Sequence, residues 1–220
     1  LRPRIAAGEF NLALIGSARM QAVAVRALGL SDDMLLANRD DARDRSASLV
    51  FVDVDTSAST IQVGCSTTEG GRVAYDAIAT AVDLAMGGAV DAICTGPISK
   101  EALNSAGHHY SGHTELLADL TGSRDSVMLL AHGHMRVSHV TTHCALEDVP
   151  RRVTPERIER VVALTDDALK ALGLSRRRIA VAALNPHAGE GGLFGRQDID
   201  VVEPTIRGLR ERGFDVEGPL

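Results

Sequence analysis

Short apolar runs alternate with helical stretches along this chain, and that alternation restricts it to an α/β architecture. Leu12-Ala-Leu-Ile-Gly16, Leu49-Val-Phe-Val-Asp-Val54, Val90-Asp-Ala-Ile-Cys94 and Ile179-Ala-Val-Ala-Ala-Leu184 are each only five or six residues long. Runs so short and so continuously apolar read as strands covered on both faces, the habit of parallel sheets. Between them lie segments of helical period. One is expected from Ser17, its cap, to Leu28, with Gly29 as its stop. Another runs from about Gly70 to Met86, placing Val73, Ala77, Ala81 and Leu84 on one face before Gly87-Gly88. Thr154-Pro155 opens a third with a hydroxyl cap and a proline at the first helical position; it reaches Leu172 and Gly173. Shorter helices are expected from Ser99 or Lys100, over 112–120 and from Asp198 to Arg212. Segments 126–131 and 135–142 read as two strands joined by the tight turn His132-Gly133-His134, an antiparallel pair within a mostly parallel protein.

Bulk composition removes several function classes. At 220 residues the chain can bury a full core, and 45% hydrophobic content with no span of some twenty apolar residues argues against a membrane helix. A net charge of −6 with interspersed signs argues against a nucleic-acid platform. The basic clusters Arg151-Arg152 and Arg176-Arg177-Arg178 lack neighbouring aromatics and read as solvated surface. Three cysteines, Cys65, Cys94 and Cys144, show no paired spacing, which suits a reducing compartment such as the cytoplasm. Cys94, inside an apolar run, reads as a core residue. No signal segment is evident; the chain starts at Leu1 and stops just after a strand-like Phe214-Asp-Val216, so both ends read as cut.

Chemistry concentrates in histidine-bearing, glycine-rich stretches. Asn185-Pro-His-Ala-Gly-Glu-Gly-Gly192 follows a strand, at the edge where open α/β sheets place ligands, and it holds His187 with Glu190 three residues on. Glu190 could orient the imidazole or take a proton. His143 follows the run Val137 to Thr142 in the same way. Two strand-end imidazoles suit zinc over magnesium, with manganese and cobalt as further options. A zinc site takes three or four protein ligands, however, and no third strand-end histidine is evident. Gly112-His-Thr-Glu115 opens a helix whose N–H groups and dipole favour an anion, with His113 and Thr114 beside it. His108 and His109 read as surface residues. Thr95-Gly-Pro-Ile-Ser-Lys100 offers a hydroxyl, a turn and one cation, so Lys100 is a candidate anion partner. Neither a Walker A loop nor a GxGxxG fingerprint occurs.

Taken together, TGPISKEALNSAGHHYSGHTELLADLTG, VTTHCAL and LNPHAGEGGLFGRQDID closely resemble the PdxA family, the 4-hydroxythreonine-4-phosphate dehydrogenases. The resemblance spans about residues 10–220. It implies two α/β/α domains related to the isocitrate and isopropylmalate dehydrogenase fold. They would divide as 1–107, an incomplete first domain, and 108–220, carrying the dimer interface and the metal histidines. It implies an obligate homodimer with the metal at or near the subunit interface, a divalent metal, and NAD or NADP. His113 and Thr114 match the family's substrate-binding pair, and His143 and His187 match two of its three metal histidines. The third histidine, the remaining substrate contacts and most of the nicotinamide segment would lie beyond Leu220, so the chain reads as a fragment that could be inactive alone. Lys100 and Glu190 remain the catalytic candidates, and no residue is assigned to the nicotinamide. The implied reaction is oxidation and decarboxylation of a phosphorylated four-carbon hydroxy acid such as 4-hydroxythreonine 4-phosphate. The paired histidines before Tyr110 lean toward the catabolic relatives that act on 4-phosphoerythronate or threonate 4-phosphate. With the resemblance set aside, a metal-dependent hydrolase or isomerase, or an inactive anion-binding fragment, accounts for the same residues.

Overall fold

The computed structural model describes residues 4–5, 7–28, 36–37, 49–54, 61–123 and 125–220. It divides into two compact units, Leu1–Ser126 and Val127–Leu220. In the first, β1 (Leu12–Gly16), β2 (Leu36–Ala37) and β3 (Leu49–Asp53) form a parallel sheet in the order β1-β3-β2. β1 pairs with β3 from Leu12 opposite Leu49 to Gly16 opposite Asp53. Both long runs are strands as expected, and Val50, Phe51 and Val52 are buried. Helix α1 (Ala18–Leu28) starts where Ser17 was expected to cap it, its first N–H groups bonded to Ser17 Oγ and to Asp53 Oδ1. The expected stop at Gly29 lies outside the described residues.

Helix α2 (Thr68–Met86) is capped by Thr67, whose hydroxyl accepts from the Gly70 N–H at 3.1 Å. It carries the core of this unit on one face. Leu84 packs with Val50 and Val52, while Ile78 and Val82 pack with Leu103 of α3 (Lys100–Ser105) and Leu116 of α4 (His113–Leu120). Leu103 and Leu116 are fully buried, each stabilising by roughly 2 kcal/mol relative to exposure. The run 90–94 departs from expectation: it is irregular, with a bend at Asp91, and joins no ladder, and Cys94 is exposed rather than in the core. A parallel strand needs a neighbour's N–H and C=O groups as well as apolar side chains. Among the described residues none faces it, so Val90 packs on the Val50–Val52–Leu84 cluster and the residues beyond line an open groove.

The second unit begins with β4 (Leu129–His132) and β5 (Met135–Ser138), antiparallel as expected but shorter than 126–131 and 135–142, with Leu130 opposite Val137 and His132 paired to Met135 rather than in the turn. A short turn of helix, α5 (Val149–Arg152), leads to α6 (Pro155–Ala171), which Thr154 caps from Oγ1 to the Arg157 N–H with Pro155 at the first position, as its sequence requires. β6 (Ile179–Ala180) pairs parallel with β7 (Val216–Glu217), and further bonds from Val181 to Glu217 and Ala183 to Leu220 extend the contact to the end of the run. The helix expected from Asp198 opens as a wide turn over Asp198–Val202 and becomes regular only in α7 (Glu203–Glu211). Helices α6 and α7 close over this pair through Ile158, Val162, Ile206 and Leu209. The basic clusters are solvent-facing, with Arg177 paired to Asp166 at 2.7 Å. Among the described residues no helix is long and apolar enough to cross a membrane. The chain is thus a mixed α/β protein, with parallel sheets and one antiparallel pair among the described residues.

Gly71 sets the spacing of α2 and α3. A Cβ there would lie 2.0 Å from the Ala102 carbonyl oxygen, so any side chain must part the two helices. Gly71→Ala should lower unfolding stability by about 3 kcal/mol, the upper range for overpacking, read as a shifted denaturation midpoint at unchanged slope.

Candidate functional site

Leaving the β6 run, the backbone turns left-handed. Asn185 is extended, and then His187 and Ala188 (both φ 52), Gly189 (85), Glu190 (44) and Gly191 (64) all have positive φ. For L-residues such geometry costs roughly 1–2 kcal/mol each, and three of the five are not glycine. Backbone like this persists only where its surroundings over-determine it. Here they do. Asp198, 1% exposed, accepts the backbone N–H groups of Leu184 at 2.7 Å and Asn185 at 2.9 Å through its two carboxylate oxygens. The Asn185 amide donates to the same carboxylate and to Gln197 Oε1, each at 3.0 Å. Gly189 is buried so close to the returning chain that a Cβ would sit 2.4 Å from the Gly195 carbonyl oxygen. The Phe194 N–H closes the turn onto the Gly189 carbonyl at 3.1 Å. Hydrogen bonds to a charged acceptor contribute about 1.5–3 kcal/mol each, so the clamp can offset the strain. It leaves His187 and Glu190 exposed at the rim.

His143 shares that backbone state, with φ 50. It does not end a strand, because pairing stops at Ser138; it lies in an irregular segment that continues β5. Two side-chain contacts tie that segment to α6: Arg157 Nε donates to the Val140 carbonyl at 2.8 Å, and the Ser138 and Thr165 hydroxyls meet at 2.7 Å. Val140 and Leu184, upstream of the two histidines, pack on the same hydrophobic cluster of Ile158, Val162 and Ile206. Both imidazoles are exposed, and neither hydrogen-bonds another described residue. As neutral nitrogen donors they fit a divalent transition ion. No group of three or more His, Cys, Asp or Glu side chains comes together among the described residues.

In the first unit, His113 and Thr114 occupy the first turn of α4. Its capping position, Gly112, makes no side-chain cap, so the first-turn N–H groups are left for another acceptor. His113 Nε2 is buried and has no hydrogen-bond partner. An orphaned ring nitrogen beside uncapped helix N–H groups suits an anionic oxygen. The preceding loop is pinned at two points that the sequence reading missed. His108, expected on the surface, is half-buried and stacks on Tyr75 with ring centroids 3.5 Å apart and planes 7° from parallel. Tyr110 Oη donates to Asp119 Oδ2 at 2.5 Å. That bond, then burial and the Asp119 charge, pushes the Tyr110 phenol up to about 12. Lys100 is exposed at the first position of α3, after Ser99, whose hydroxyl caps the helix and meets Ser66 Oγ at 2.9 Å.

The Asp198 clamp makes two opposite predictions. Asp198→Ala strands two backbone N–H groups and should lower stability by about 3 kcal/mol. Ala188→Gly removes left-handed strain and should raise stability by about 0.5–1 kcal/mol once the added chain entropy is counted. Denaturant titration of both variants reads the signs directly.

The family model described as pyridoxal phosphate biosynthetic protein PdxA matches residues 9–220. A Bradyrhizobium diazoefficiens protein, provisionally named a D-threonate 4-phosphate dehydrogenase, is 53% identical over 220 residues, 100% of this chain and 63% of its own length. A Geobacter metallireducens 4-hydroxythreonine-4-phosphate dehydrogenase is 49% identical over 160 residues, 73% of this chain and 47% of its length. Among solved structures, the Klebsiella pneumoniae 4-hydroxythreonine-4-phosphate dehydrogenase superposes with a TM-score of 0.84 at 36% identity, covering 94% of this chain and 63% of that one. The chain therefore spans less than two thirds of the length of these relatives. With a match over nearly all of its residues, the chain belongs to the PdxA family.

Proposed function

We propose that the protein is an NAD(P)-dependent dehydrogenase that oxidises and decarboxylates a phosphorylated four-carbon hydroxy acid. The observation that carries this reading is the shared left-handed backbone at His143 and His187, which presents two otherwise unengaged imidazoles in a family of named dehydrogenases. These two histidines would hold the divalent ion, for which zinc is the first choice and magnesium, manganese and cobalt are alternatives. A bound ion would supply Lewis acidity to the substrate hydroxyl and to the charge that develops on loss of CO₂, and the nicotinamide would take the hydride. The balance is an alcohol and NAD(P)⁺ giving a ketone, NAD(P)H and a proton, followed by release of CO₂ from the β-keto acid.

The chain's own residues bind and orient. His113 Nε2, Thr114 and the first N–H groups of α4 would take the substrate's phosphate or carboxylate. Glu190 would orient the His187 ring or accept a proton, and Lys100 would serve as an anion partner. The chain would contribute residues 1–107 and 108–220 to two α/β/α domains. The subunit would act as a homodimer, with the metal near the interface. The face of the β4–β5 hairpin that carries Met128, Leu130, Met135 and Val137 is exposed and apolar, a suitable surface for a second copy. Three free cysteines suit the cytoplasm.

The substrate divides two readings. The pyridoxine branch uses 4-hydroxythreonine 4-phosphate; the catabolic branch uses D-threonate or erythronate 4-phosphate. The Bradyrhizobium relative, matched along the whole chain, favours the second, as does the His108-His109-Tyr110 sequence. Reduced-nicotinamide absorbance with each acid and a divalent ion is the test: turnover of either supports a dehydrogenase, and the larger kcat/KM assigns the branch. Cofactor-independent consumption of a phosphorylated metabolite would establish a hydrolase or isomerase instead. Substituting His143 or His187 by Ala should lower kcat/KM by about 100- to 1000-fold. Leu130→Asp should shift the intact subunit from dimer to monomer in sedimentation; an unchanged dimer would exclude the hairpin face.

A further inference from the structure

Residues 107–112 join α3 to α4 as Gly-His-His-Tyr-Ser-Gly, a composition that by itself fixes little. Backbone hydrogen bonds hold the start of this loop, from the His108 N–H to the Leu103 carbonyl at 3.0 Å and from Tyr110 to His108 at 3.2 Å. Its far half approaches His113 held chiefly by side chains. The Tyr110 ring packs on the cluster of Ile78, Val82, Leu103 and Leu116, and its hydroxyl reaches forward to Asp119, near the other end of α4. From His113 to Asp119 is six residues, about 9 Å along a helix. Tyr110 is thus a strap running alongside the helix whose first turn carries His113 and Thr114.

Asp119 is an odd choice for that place unless the strap matters. A carboxylate in the last turn of a helix meets the negative end of the dipole. Its hydrogen bond to a neutral phenol answers that cost, and the phenol keeps its proton far above physiological pH. The strap therefore stays a donor wherever the protein operates. At the loop's start His108 is stacked flat on Tyr75 of α2, so the loop is fixed to two helices before it delivers His113.

We propose that Tyr110 and Asp119 are positioning residues that hold the His113–Thr114 pair in register for an anionic substrate group, with the His108–Tyr75 stack as the second anchor. The proposal deepens the functional reading above and rests on its assignment of His113 and Thr114. Neither residue touches substrate; they act through the angle and depth of the first turn of α4. Buried Nε2 of His113 has no other partner to set its place, so a small rotation of that turn carries the nitrogen off its target. Misplacement on the scale of 1 Å can cost binding groups up to about 100-fold.

The experiment uses the intact subunit. Tyr110→Phe keeps the ring in the core and removes only the hydroxyl. The expected result is a KM for the phosphorylated acid raised about tenfold, with kcat and the nicotinamide KM within about twofold of native. Asp119→Ala should match it, Asp119→Asn should recover most of the loss because an amide oxygen still accepts, and Tyr110→Phe with Asp119→Ala should add nothing further. Inorganic phosphate, followed through the His113 ring nitrogens by NMR, tests the strap without turnover. It should bind the native subunit about tenfold more tightly than Tyr110→Phe. If no phosphorylated acid turns over while this difference persists, the dehydrogenase reading fails and the strap stands. An unchanged KM and phosphate affinity in Tyr110→Phe, or phosphate that leaves His113 of the native subunit unmoved, overturns the proposal.

Discussion

The candidate metal side of this molecule depends on one buried carboxylate. Asp198 lies 1% exposed beneath the glycine-rich turn and takes the N–H groups of Leu184 and Asn185 together with the Asn185 amide. A charge in such a place is tolerable only when its lone pairs are filled, and here peptide N–H groups and an amide fill them. In return it fixes where the β6 run ends and the left-handed turn begins. The turn then folds onto Gly195 and Gln197 and has no room for a side chain at position 189. His187 is presented because everything behind it is immobilised.

The two candidate metal histidines come from different local sequences and reach the same backbone state. His187 sits among glycines; His143 follows two threonines and has none beside it. Yet both have φ near 50, a region uncommon for non-glycine residues, although histidine enters it more often than most. Different surroundings that impose one strained geometry on two residues of one type point to what those residues must present, a link from backbone energetics to function. In the other unit the logic is complementary. His113 has ordinary helical geometry, and its signal is a buried nitrogen left unsatisfied beside an uncapped helix start.

Much of the framework was legible because its causes are local. Thr154 and Pro155 specify the start of α6 whatever else the chain does, and Gly87-Gly88 stops α2 for the same reason. The β4–β5 pair was legible from its tight turn. The run 90–94 misled because its apolar composition is a strand's, whereas strandhood needs a partner elsewhere. The wide turn at Asp198–Val202 was equally hidden, since an acid opening a helix reads as a first-turn residue, not as a clamp for a loop fourteen residues back. The bond of Tyr110 to Asp119 was hidden as well, because it exists only once α4 has formed. His143 and His187 were visible in the sequence as histidines expected at strand ends, and the family resemblance matched them to metal ligands; the irregular backbone that carries His143 was not legible, because pairing stops at Ser138.

The central claim is that His143 and His187 bind one ion. X-ray absorption at the zinc edge of the zinc-loaded intact subunit measures this most directly. The account predicts at least two imidazole nitrogens at about 2.0–2.1 Å, with the imidazole scattering reduced by one ring in each of His143→Ala and His187→Ala. A coordination shell made only of oxygen, or an imidazole signal that survives both substitutions unchanged, would contradict it.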